Sequence, residues 1–127
     1  MVSLQDLKGI ALFENLTDGM LENLLPISQK ESMDGRHIVY EAGSSADNFY
    51  SLKRGKVLLE AELAPEFIIS VGAIKPGYSF GWSALFSAKT HASYAVCAEP
   101  SEVIIMPGAR LSEILAVNHA MGFLVMK

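Results

Sequence analysis

The chain has 127 residues, of which half are hydrophobic, 9% aromatic and 19% charged, with a net charge of −4. Its mean hydropathy is +0.29 and its isoelectric point about 5.3. These values exclude a disordered chain, which combines low hydrophobicity with high charge, and weigh against nucleic-acid binding, which favours a basic surface. One cysteine, Cys97, excludes a disulfide-stapled secreted mini-domain. The longest apolar run, Phe67 to Ile74, has eight residues and already holds Ser70 and Gly72. A membrane span needs about 18, and no basic segment followed by an apolar core marks a signal peptide, so a cytoplasmic chain without membrane contact is expected. The length leaves no room for two ordinary domains.

The first third reads as helical. Ser3 can cap a short helix through Leu7, and Thr17-Asp18 form a second N-cap pair. Met20, Leu21, Leu24 and Leu25 follow as an apolar helical stripe that Pro26 ends. From Ile27 the period changes to short apolar runs broken by turn residues: Arg36–Tyr40, Asn48–Lys53, Lys56–Glu62, Phe67–Ile74, Ser93–Ala98 and Val103–Met106. Arg54-Gly55, Lys75-Pro76-Gly77 and Glu99-Pro100 supply turns between them. Such spacing predicts an antiparallel sandwich or barrel. Leu111, Ile114 and Leu115 return to helical spacing after Pro107-Gly108, and Met121, Phe123, Leu124, Val125 and Met126 open a last apolar segment. The pattern predicts one α+β, β-dominated domain over 1–127, with helices over about 3–26, a β core over about 27–107 and helices over about 109–127.

Catalytic patterns are weak. His37, His91 and His119 stand in no metal-ligand spacing, and Gly81-Trp82-Ser83-Ala84-Leu85 lacks the second glycine of a nucleophile elbow. No cofactor or metal is required by these residues, and a small β-barrel enzyme is the least favoured reading. Cys97, in an apolar run, reads as a small buried hydrophobe. The informative stretch is Lys75 to Phe86, where a turn and a short strand lead into a helical segment at Gly81. A glycine there lets backbone approach a ligand, and the N–H groups after it suit an anion.

Three blocks in order carry a family resemblance. They are Ile38-Val39-Tyr40-Glu41-Ala42-Gly43 with Ala46 to Val57, then Lys75 to Phe86, then Ser101-Glu102-Val103-Ile104-Ile105-Met106-Pro107. The chain resembles the cyclic-nucleotide-binding domain of the catabolite activator and protein kinase A regulatory-subunit superfamily. That resemblance implies an eight-stranded β roll flanked by helices, and a non-enzymatic sensor or regulatory role. It implies that Phe80, Gly81, Trp82, Ser83, Ala84, His91, Ala92 and Ser93 form the phosphate-binding cassette. In the family a Glu after Phe-Gly accepts from the ribose 2′-OH, and a later Arg pairs with the cyclic phosphate. Here Trp82 stands at the Glu position and His91 at the Arg position. Tryptophan has no acceptor, and neutral histidine offers no bidentate fork.

Each hydrogen bond to a charged group is worth about 1.5–3 kcal/mol, so losing two removes roughly two to four decades of affinity. Weak or altered binding of a cyclic nucleotide or another small anion is therefore expected. Two readings of the pocket stay open. Trp82 could form a wall for a different ligand, with His91 favouring anions at acidic pH. Alternatively Trp82 fills the pocket, leaving a ligand-free structural or dimerising module. Taken singly, Trp82 reads as pocket filling and His91 as a solvated loop histidine, while His37 and His119 read as surface residues. The resemblance also implies a homodimer through the C-terminal helix and an effector protein or domain. Met121 to Lys127 is expected to be only that helix's start, with no DNA-binding domain. A self-associating apolar patch is expected there, formed by Met121, Phe123, Leu124, Val125 and Met126.

Overall fold

A computed structural model of the chain describes residues 1–86 and 89–126, the last of them by its backbone alone. Among the described residues, four α-helices flank eight strands. Helix α1 (Leu4–Lys8) starts at a capping box in which the Ser3 hydroxyl accepts from the Asp6 N–H and the Asp6 carboxylate accepts from the Ser3 N–H. Helix α2 (Asp18–Glu22) is capped by the Thr17 hydroxyl, which accepts from the Met20 N–H. It is shorter than the apolar stripe suggests: Pro26 sits in a separate 3-10 turn, Leu25–Ile27. That turn keeps Leu24 and Ile27 buried without a continuous helix.

The strands are β1 (Gln29–Met33), β2 (Ile38–Tyr40), β3 (Asn48–Arg54), β4 (Val57–Ala64), β5 (Phe67–Ile74), β6 (Ser79–Phe80), β7 (Tyr94–Cys97) and β8 (Ser101–Pro107). They form two antiparallel four-stranded sheets, ordered β1-β8-β3-β6 and β2-β7-β4-β5. This is the expected β-dominated α+β roll. Helices α3 (Gly108–Val117) and α4 (His119–Met126) close the chain.

Two apolar cores share one sheet. Inside the roll, Tyr50, Leu52, Val57, Phe80, Ala95, Cys97 and Val103 pack between the sheets. Outside it, Phe49, Ile104 and Met106 pack against Leu7, Phe13, Leu24, Leu111 and Met121 of the helices. Alternation along β3 and β8 feeds both cores, so these strands are buried on both faces. Ser51, caught in this doubly covered strand, bonds to the Ser79 hydroxyl at 2.8 Å. Each large apolar side chain so buried contributes about 1.5–3 kcal/mol.

The C-terminal segment corrects one expectation. Met121 and Val125 face the helical core and are buried, Leu124 is half-buried, and Phe123 is 69% exposed. The side chain of Met126, and Lys127 altogether, lie outside the described residues. The expected patch is thus mostly consumed internally, because α4 packs back on α3 and on the Ala11–Phe13 turn.

Candidate functional site

The stretch expected to form the cassette begins where β6 lies along β3, with Tyr50 opposite Phe80 and Ser51 opposite Ser79. Gly81 then takes φ +77, and the chain enters a 3-10 turn, Trp82–Leu85. No other residue type suits Gly81: a Cβ would lie 2.7 Å from Tyr50 Cδ2, at a backbone angle that side chains rarely adopt. The left-handed step sends successive side chains to opposite regions. Phe80 enters the roll and stacks on Tyr50 at 5.2 Å. Trp82 leaves it and meets Phe49 edge-on at 5.0 Å on the helical side.

Trp82 therefore does not fill the roll, as the sequence suggests it would. It is 40% exposed and stands between two clefts. One, of about 320 Å³, lies against Leu12, Tyr78 and Val125, and the other, of about 440 Å³, against Leu85, Phe86, Leu115 and Phe123. The rest of the turn is clamped to the C-terminal helices. The backbone of Gly108 sits so close to Ala84 that a Cβ there would come within 2.7 Å of the Ala84 Cβ. Ser83 and Ala84 are half-buried.

His91 also departs from expectation. It is 4% exposed, not solvated. Its N–H donates to the Ser44 carbonyl at 2.9 Å and its carbonyl accepts from Gly43 N–H at 2.8 Å. The Ala46 N–H bonds to Lys89, so the stretch before β7 is zipped to the turn after β2. That zipper holds the imidazole parallel to the Tyr40 ring, with centroids 3.5 Å apart and an interplanar angle of 8°. Ala92 stays exposed and Ser93 half-buried. His37 and His119 are exposed, and Cys97 is buried.

Tyr40, at the end of β2, completes the arrangement. It lies 5.6 Å from Tyr50 and 6.2 Å from Phe80, so Tyr40, Tyr50, Phe80 and His91 form one aromatic cluster within the roll beneath the cassette. Burial pushes the Tyr40 hydroxyl up to about 12, the neighbouring Tyr50 adds to this, and the Gly81 N–H offsets part of it. Burial also raises the Tyr50 hydroxyl. The same burial lowers the His91 imidazole below its ordinary value, against the pull of Asp47. Burial thus favours the uncharged forms of the two phenols and the imidazole that meet here. Simple alternation would point only one of Val39 and Tyr40 inward. An irregularity in the β2–β7 register lets both join the roll core.

Among the described residues, no group of three His, Cys, Asp or Glu could hold a metal ion, and no helix is long and apolar enough to cross a membrane.

Comparison with known proteins adds the following. The model of the cyclic nucleotide-binding domain family matches residues 30–118. The structure of a candidate cyclic nucleotide-binding protein of Geobacter metallireducens GS-15 is similar at 31% identity and a TM-score of 0.86, over 99% of this chain and 91% of that one. A cyclic nucleotide-binding-like protein of Brucella abortus bv. 1 str. 9-941 is 26% identical, with a TM-score of 0.72, over 89% of this chain and 97% of that one. The regulatory domain of Toxoplasma gondii protein kinase A, solved with cyclic AMP, shares the fold at 16% identity and a TM-score of 0.81, over 95% of this chain and 46% of that one. No curated protein sequence matches the chain.

Proposed function

Because the chain belongs to the cyclic nucleotide-binding domain family, we propose that it is a regulatory, non-catalytic member whose nucleotide pocket is filled from within by its own aromatic side chains. The observation that carries this reading is the Tyr40–His91 stack at 3.5 Å. The residue at the family's phosphate-pairing position is turned into a buried packing partner. A neutral imidazole held face-to-face against a phenol has no fork to offer a cyclic phosphate. At the ribose-pairing position, Trp82 contributes no acceptor and packs on Phe49 outside the roll.

The alternative of a different small anion, bound more tightly in acid, fares worse. It needs a protonated His91, and burial disfavours that form. What the cassette retains is its link to the helices, through Trp82 on Phe49 and Ala84 on Gly108. This supports a module that passes packing changes between roll and C-terminal helices rather than one gated by a nucleotide. A thermal-shift series tests it. Cyclic AMP or cyclic GMP at micromolar concentration leaves the melting temperature unchanged, since only a ligand well above its dissociation constant stabilises the fold. A stabilising shift at that concentration would overturn the reading.

A further inference from the structure

Exposed apolar side chains gather on the hairpin of β4 and β5. Leu63, Phe67, Ile68 and Val71 are each more than half exposed. The hairpin carries Glu60, Glu62 and Glu66, with no Lys or Arg between Lys56 and Lys75. Strand β5 is the outer strand of its sheet and, among the described residues, pairs with β4 alone. An eight-residue uncharged strand thus turns its free backbone edge to solvent. Such edges are ordinarily guarded by a charged side chain, a Pro, a bulge or short length, and of these β5 has only the irregularity at Val71.

The sequence of β5 is complementary to itself. A register shift between Leu59 and Glu60 leaves Val71 as an extra residue. The shift flips the alternation, so Phe67 and Ile69 share a face with Gly72 and Ile74, the face that continues the roll interior. We propose that a second copy of this chain pairs with it β5 to β5, antiparallel, about a two-fold axis between Ser70 and Val71. In that register Phe67 lies opposite Ile74 of the second copy, Ile69 opposite Gly72 and Ile68 opposite Ala73. Like faces meet like faces. Glu66 then meets Lys75 of the second copy at both ends, as a two-fold interface requires. A slip of one residue either way would put Ile74 or Pro76 opposite Glu66 and set inner face against outer. The interface is independent of what the pocket binds.

Sedimentation of the full chain tests this. A concentration-dependent dimer is expected. Glu66→Lys and Lys75→Glu each place like charges at both ends of the interface, and each weakens the dimer about tenfold. Mixing the two variants in equal amounts restores association, because each chain then carries the charges the other lacks. Phe123→Asp, on α4, leaves the dimer intact. Circular dichroism melts check that each variant folds. A monomer at every concentration, a dimer indifferent to both charge reversals, a mixture no tighter than its components, or a dimer lost in Phe123→Asp would each overturn the proposal.

Discussion

At Gly81, a single backbone angle decides where the cassette side chains go. Replacing it with alanine strains a φ of +77 and drives a Cβ against the Tyr50 ring. Gly81→Ala is therefore expected to cost about 2 kcal/mol or more in urea unfolding. His91 gives a pH signature with a definite sign. Its folded-state pKa lies below the ordinary value because of burial. The unfolded chain consequently takes up the proton first, and stability falls as pH drops through about 6.5. His91→Phe, which keeps a ring on Tyr40, is expected to flatten that slope. Asp6 acts in a separate, more acidic window. Burial raises its pKa, but Lys53, the Ser3 N–H and Lys30 outweigh this and hold the carboxylate well below its usual range. Its contribution is present above the ordinary carboxylate pKa and is lost on further acidification. The motif residues Phe80 and Gly81, and the odd residues Trp82 and His91, were all legible in the sequence. Their directions were not. The handedness at Gly81 and the zipper between Gly43–Ala46 and Lys89–His91 arise only when distant segments meet.

At the scale of elements, periodicity found the strands that bury apolar residues. Phe67–Ile74 matches β5 end to end, and the runs leading to β3, β4, β7 and β8 differ from the strands by a few residues. Strand β1, Gln29–Met33, has no such signal. It is a sheet edge, and pairing with β8, from Gln29 opposite Ile105 to Met33 opposite Ser101, holds it rather than burial. Helix α2 was overread because Leu24 and Leu25 continue the stripe while the backbone breaks into a 3-10 turn. The contact between elements that matters most to the proposed function is Gly108 on Ala84. Gly108→Ala forces the start of α3 away from the cassette turn. Overpacking of this kind costs roughly 1–3 kcal/mol. Exchange of the Trp82–Leu85 amides is expected to quicken in that variant, and an unchanged exchange pattern would argue against a mechanical link.

For the whole molecule, the apolar half of the sequence divides between core and surface. Two cores on either face of the β1-β8-β3-β6 sheet absorb most of it, including Met121 and Val125. Within the core inside the roll, Tyr40, Tyr50, Phe80 and His91 form an aromatic cluster. Among the large apolar side chains left exposed, Leu63, Phe67, Ile68, Ile69 and Val71 gather on the β4–β5 hairpin, which composition alone does not separate from core. The roll and its family were legible from three blocks of turns and strands, whereas the proposed filling of the pocket depends on rings brought together from β2, β3, β6 and the stretch before β7. The most direct test is titration calorimetry of cyclic AMP and cyclic GMP into the full chain, beside the double variant Tyr40→Ala, His91→Arg. The native chain is expected to show no micromolar binding, and the variant, which gains space and a guanidinium, to bind measurably. A dissociation constant in the micromolar range or tighter for the native chain would contradict a pocket filled by Tyr40 and His91.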